Sequence, residues 1–199
     1  MFLWSAIRPH DYFTWALEVA PALAAVVLLV ATYPRFRFTL LAYTLMAIHA
    51  AILFIGGHYT YALVPLGEWL RSAFDLTRNH YDRVGHFAQG FVPAIIGREI
   101  LLRCSPLKEG AWLRFLVLCV CLAVSATYEL FEWRVAVLTG SRAEDFLGTQ
   151  GDPWDTQKDV ATALIGAVAA LISLSRWHDR QLRGIVELEA GRTTAAAKV

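Results

Sequence analysis

Five windows of this chain are long and apolar enough to cross a bilayer as helices, which needs roughly 20 largely apolar residues each. They run about Phe13 to Thr32, Phe38 to Ile55, Val84 to Leu102, Trp112 to Leu138 and Val160 to Leu174. A backbone in hydrocarbon must satisfy its own hydrogen bonds, so consecutive spans of this kind predict an all-α, polytopic membrane bundle. We expect about five transmembrane helices, within a range of four to six. The third window is the weakest by hydropathy, because it holds His86, Gln89, Arg98 and Glu99. The fourth is long enough to tilt or to project from the bilayer.

Composition agrees with this class. Hydrophobic residues make up 57% of the 199-residue chain and charged residues 18%, against about 25% charged in soluble domains. The net charge of +1 excludes a nucleic-acid binder, which needs a strongly basic face. Residues 1–182 form one helical membrane domain, and 183–199 form a polar tail expected to fray. Cys104, Cys119 and Cys121 show no CxxC spacing and suit small apolar fillers. Only Arg8 is basic ahead of the first apolar run, which itself carries Glu18 and Pro21, so that run reads as a retained helix and not as a cleaved leader.

Between the second and third windows, Val64, Leu66, Trp69, Leu70, Ala73 and Phe74 recur at near-helical spacing. The pattern predicts a short amphipathic helix at the membrane interface over residues 64–76, with a loop packed on the bundle as the alternative. Asp152, Pro153 and Asp155 suit the N-cap, N1 and N3 positions of the last helix. The glycine-flanked turn before it offers backbone N–H groups to an anion. Five spans divide the Lys and Arg residues 11 against 7, in favour of the side that carries Arg35, Arg103, Arg114 and the C-terminus. The positive-inside rule then puts the N-terminus outside and the C-terminus in the cytoplasm.

Up-and-down threading has one consequence for chemistry. His58, Asp82, His86, Gln89, Glu129, Glu132, Asp155 and Asp159 are drawn to the outer end of the bundle from more than 100 residues of sequence. Helical spacing aligns Asp82, His86, Gln89 and Pro93 on one face, Cys121, Ser125, Glu129 and Glu132 on another, and Asp155, Asp159, Thr162 and Gly166 on a third. Small residues beside them (Gly90, Ala94, Gly97, Ala163, Ala167, Ala170) let membrane helices approach closely. Ionisable groups in hydrocarbon mark function by default. Crowded carboxylates need protons, basic partners or a cation. The donor set suits a divalent magnesium, manganese or zinc ion held by His86, Glu129, Asp155 and Asp159. Arg83, Arg134, Arg142 and Lys158 supply the other solution, a salt-bridged plug that fixes helix register. His49 reads as a core histidine, and Arg98-Glu99 as a snorkelling or locally paired group.

The blocks Gly56-Gly57-His58-Tyr59-Thr60-Tyr61, His80-Tyr81-Asp82-Arg83-Val84-Gly85-His86-Phe87, Tyr128-Glu129-Leu130-Phe131-Glu132-Trp133 and Gln150-Gly151-Asp152-Pro153-Trp154-Asp155 resemble the YjdF-type family of predicted bacterial inner-membrane proteins. That resemblance implies a multi-pass protein of the bacterial plasma membrane and carries over no activity. A looser similarity reaches the VanZ-like membrane proteins through Asp82-Arg83, His86-Phe87, Glu129, and Asp159 with Gly166, although Ala163 stands where an Asn is expected. It implies a cell-envelope context. Three functions fit these residues: binding of a lipid or envelope component, with a divalent cation as the bridge; metal-dependent catalysis on a lipid-linked phosphate; and proton- or ion-coupled transport. Membrane lipids are the expected partners, and a carrier of this size would assemble as a homo-oligomer.

Overall fold

The computed structural model describes residues 1–140 and 144–196, the side chains of 144, 145 and 186–196 excepted. Every regular element among them is helical: α1 (Phe2–Ser5), α2 (Tyr12–Thr32), α3 (Leu40–Tyr59), a 3-10 turn (Tyr61–Leu63), α4 (Pro65–Ala73), α5 (Tyr81–Cys104), α6 (Ala111–Thr139), α7 (Glu144–Leu147) and α8 (Asp155–Ala196). Helices α2, α3, α6 and the stretch Asp155–Ile185 of α8 are long and apolar enough to cross a membrane. Helix α5 has the length of a span, 24 residues, but not the hydropathy. It packs against α3, α6 and α8, while α2 leans on α3. A helix ringed by others need not satisfy lipid, so its sequence is free to carry charge.

Local signals set the helix ends. Asp11 caps α2 by accepting the Thr14 N–H at 2.6 Å, a bond that holds its carboxyl below the ordinary carboxylate range. Thr39 caps α3, accepting the Ala42 N–H at 3.3 Å. Gly140, at φ +60°, ends α6 and turns its N–H back to Ala136. Helix α8 begins at Asp155, two residues later than the cap signal suggested: Asp152 instead accepts the Trp154 N–H at 3.1 Å in the preceding turn. The tail expected to fray from residue 183 is helical as far as Ala196, and residues 197–199 lie outside the described residues. Within the predicted interfacial segment, α4 is helical and leaves Leu66, Trp69 and Phe74 more than 60% exposed. An apolar face left bare is what a helix lying on a bilayer requires.

Glycines decide how closely α5 and α8 approach. A Cβ at Gly90 would overlap the Ala163 carbonyl, and one at Gly166 would overlap the Phe87 carbonyl. The two backbones therefore touch across residues chosen for their lack of a side chain. Ile95 on α5 and Leu113 and Val117 on α6 fill the centre of the bundle and are essentially inaccessible.

A second polar group closes the other end. Glu99 is fully buried and accepts the Thr39 N–H at 3.0 Å, the Thr39 hydroxyl at 2.8 Å and an Arg103 N–H at 2.8 Å, with His178 Nε2 at 3.0 Å. Arg98 donates to His178 Nδ1 at 3.0 Å and pairs with Asp179 at 2.5 Å. With the guanidinium donating to Nδ1, the ring proton sits on Nε2 and goes to Glu99. Gln181 accepts the Leu41 N–H at 2.8 Å. The acid and the amide thus satisfy amide donors around the start of α3 that no helical partner reaches. The expectation that Arg98-Glu99 would snorkel or pair locally is corrected: these residues tie α5 to α3 and α8.

Two outcomes follow for unfolding of the purified protein in mixed micelles. Gly90→Ala and Gly166→Ala each force the helices apart and lower stability by about 1–3 kcal/mol. Gly97→Ala, whose new Cβ meets Val120 at 3.8 Å, is neutral or stabilising by up to about 1 kcal/mol; equal losses at all three would contradict the close approach. Glu99→Gln leaves His178 and Arg103 short of a buried anion and costs about 3–5 kcal/mol; a loss below about 1 kcal/mol would show that the acid is solvated.

Candidate functional site

At the opposite end from Glu99, the start of α5 meets the start of α8. Arg78, just before α5, is 6% exposed and donates to Asp155, to Asp82 at 3.2 Å and to the Gly148 carbonyl at 3.0 Å. Arg83 donates to Asp159 and, at 2.5 Å, to Asp155. Two guanidiniums therefore grip two aspartates one helical turn apart on α8, and charge-assisted bonds of this type are the strong ones. Asp152 lies 3.5 Å from Arg83 and binds Lys158 at 2.6 Å, an ammonium that keeps its carboxyl below the ordinary range.

His86 sits one turn further along α5. Its Nε2 lies 3.4 Å from Asp82 and 3.6 Å from Asp159, and its Nδ1 lies 3.0 Å from Gln89 Oε1 and 3.7 Å from Glu129. Glu129 Oε1 and the neighbouring Ser125 hydroxyl are buried with no hydrogen-bond partner among the described residues. Asp82, His86 and Asp159 present one ligand atom each within 4.8 Å of one another, a set a divalent cation fits. Of the expected set of His86, Glu129, Asp155 and Asp159, this group holds His86 and Asp159, with Asp82 beside them; Glu129 is not part of it, and the Asp155 carboxylate serves Arg78 and Arg83.

Asp82, His86, Gln89, Glu129, Asp155 and Asp159 thus lie together where α5, α6 and α8 meet. Glu132 is buried one turn beyond Glu129 and faces a neighbouring cavity. His58 stands apart. Its Nδ1 lies 3.1 Å from the Ser5 carbonyl and its ring packs 4.4 Å from that of Trp4, which pins α1 to the end of α3. Up-and-down threading brings His58 to the right end of the bundle but not to the right side of α3.

In the turn at 147–153 the Gly148 and Thr149 carbonyls accept from Arg78, and the Gln150 side chain exchanges bonds of 2.9 Å with the Asn79 backbone. Arg134 is exposed and makes no ion pair among the described residues, and Arg142 lies outside them.

The cavity lies between α2, α3, α5 and α6 and has a volume of about 680 Å³. Pro21, Leu53, Pro93, Val120, Val124 and Phe131 give it apolar walls, and Asp82, His86, Gln89 and Glu132 reach it from the polar cluster. Glu18 joins them from α2, 4% exposed, with the Tyr128 hydroxyl 3.5 Å away. The sequence reading missed Glu18 and Arg78. An acid inside the first apolar run is its own signal, whereas nothing in the polar loop separates Arg78 from a solvated arginine.

Comparison with known proteins adds a family and no chemistry. No solved structure matches the chain. The inner membrane protein YjdF of Escherichia coli (strain K12) is 50% identical over 183 residues, which cover 92% of this chain and 88% of that one. The likeness to VanZ-like proteins is not shown by these matches. The family model described as "Predicted membrane protein (DUF2238)" matches residues 1–180, and the chain belongs to that family.

Proposed function

We propose that this protein binds an amphiphilic component of the membrane or envelope, with the polar part of the ligand at the Asp82–His86–Glu132 end of the cavity and the apolar part along α2 and α6. The observation that carries this reading is the cavity itself. Its volume falls in the roughly 300–1,000 Å³ range of small-molecule sites, and it joins apolar walls to buried ionisable groups within one space. A purely structural plug needs no such space. The same reading puts this end of the bundle outside the cytoplasm, on the strength of the basic residues at the other end.

Asp82, His86 and Asp159 support a second reading, in which a divalent cation bridges the ligand or activates water for a lipid-linked phosphate. The guanidiniums already beside Asp82 and Asp159 weigh against it, since they supply the positive charge an ion would bring.

Native mass spectrometry of protein released from gentle detergent is expected to retain about one amphiphile per chain. Val124→Trp, which fills the cavity, is expected to reduce that occupancy without loss of fold. Wild-type protein that emerges empty, with Val124→Trp behaving identically, would contradict the proposal. Stoichiometric divalent metal that disappears in folded His86→Ala and Asp159→Asn variants would favour the second reading. A C-terminal tag is expected to react in intact cells only after permeabilisation, and labelling from outside would reverse the orientation.

A further inference from the structure

The charges around the cavity are not shared evenly. Arg78 and Arg83 turn their guanidiniums to Asp82, Asp155 and Asp159, and Lys158 turns its ammonium to Asp152. No lysine or arginine is among the residues that line the cavity. Its charged lining is three carboxyl groups, Glu18, Asp82 and Glu132, with the imidazoles of His49 and His86.

Two of these acids lack a lysine or arginine partner among the described residues. Glu132 is 8% exposed, accepts no hydrogen bond and makes no ion pair among the described residues. Glu18 has no lysine or arginine partner among the described residues; its partners are the tyrosine hydroxyls of Tyr61 and Tyr128, the latter 3.5 Å away. A buried carboxylate without a partner is costly, and its cost is relieved by whatever brings positive charge to it. Tyr61, Tyr128 and Phe131 also face the cavity, and aromatic faces attract desolvated cations.

The geometry points to a specific occupant: an amphiphile with a cationic amine head, its ammonium between Glu18 and Glu132 and its aliphatic chain along Pro21, Leu53, Val120 and Val124. This rests on the amphiphile-binding reading above and gives it a substrate class. An anionic head would meet three carboxyls and no guanidinium. A neutral head would meet the two glutamates only as protonated acids, with no charge of its own to set against them. The amine-bearing ligand has two sources with one chemistry, a membrane lipid with an amine headgroup or a cationic amphiphile arriving from outside.

The test uses full-length protein in maltoside detergent and native mass spectrometry with three probes of equal chain length: dodecylamine, dodecanol and dodecyl phosphate. Dodecylamine is expected to bind one per chain, at least about tenfold more tightly than either competitor. Glu132→Gln and Glu18→Gln keep the shape and remove the charge. Each is expected to weaken dodecylamine by at least about tenfold at an unchanged melting temperature, leaving dodecanol unaffected. Dodecyl phosphate binding as well as dodecylamine, or Gln variants that keep full amine affinity, would overturn the assignment while leaving an amphiphile site intact. Failure of all three probes would remove the amphiphile reading too. The head-group comparison on wild-type protein stands even where a variant fails to fold. Extracted lipid enriched in amine headgroups would name the membrane as the source, and dodecylamine binding without such enrichment would name an external one.

Discussion

Two arginines at the start of α5 and two aspartates at the start of α8 hold the most polar part of this bundle together. Arg78 and Arg83 both reach Asp155, Arg83 reaches Asp159, and Asp82 closes the group from α5's own first turn. A polar end to a membrane helix is tolerable only where its charges are paired away from hydrocarbon. Pairing is possible here because Gly90 and Gly166 let the two backbones touch. The close approach and the ion pairs depend on each other: without the glycines the side chains would not meet, and without the pairs nothing would offset the charge carried by α5.

That pairing also determines what is left over. Once the guanidiniums serve the aspartates of α5 and α8, Glu18 of α2 and Glu132 of α6 have no lysine or arginine partner among the described residues. Glu99 at the far end is a useful contrast. It is equally buried, yet it has donors on three sides from Thr39, Arg103 and His178. One end of α5 is a satisfied structural joint. The other is half satisfied and opens on a cavity.

Much of this was legible in the sequence because membrane-length apolar runs and helical spacing are strong signals. Asp82, His86, Glu129, Asp155 and Asp159 could be grouped from threading alone, since spans that alternate in direction bring their ends together. What spacing could not give was the side of each helix end that faces the group. His58 is the exception: the N-terminal hook carrying Ser5 and Trp4 takes it, through a contact across more than fifty residues. Arg78 lies in a polar loop that carries no sign of its role, whereas Glu18, an acid inside the first apolar helix, is its own signal. Arg98-Glu99 looked local because its partners, Thr39 and His178, lie 60 and 79 residues away. Hydropathy undervalued α5 for a physical reason, since it measures fitness for lipid and α5 is packed chiefly against protein.

The most direct test of this account is a double-mutant cycle on Arg83 and Asp159, measured by unfolding in mixed micelles with Arg83→Met, Asp159→Leu and the pair together. If buried ion pairs join α5 to α8, the coupling is about 1.5–3 kcal/mol, and the double variant is far less damaged than the two single losses combined. The exposed Arg71–Glu68 pair of α4, about 40% accessible on both sides, serves as the reference and should show almost none. A coupling between Arg83 and Asp159 no larger than that reference would contradict the account.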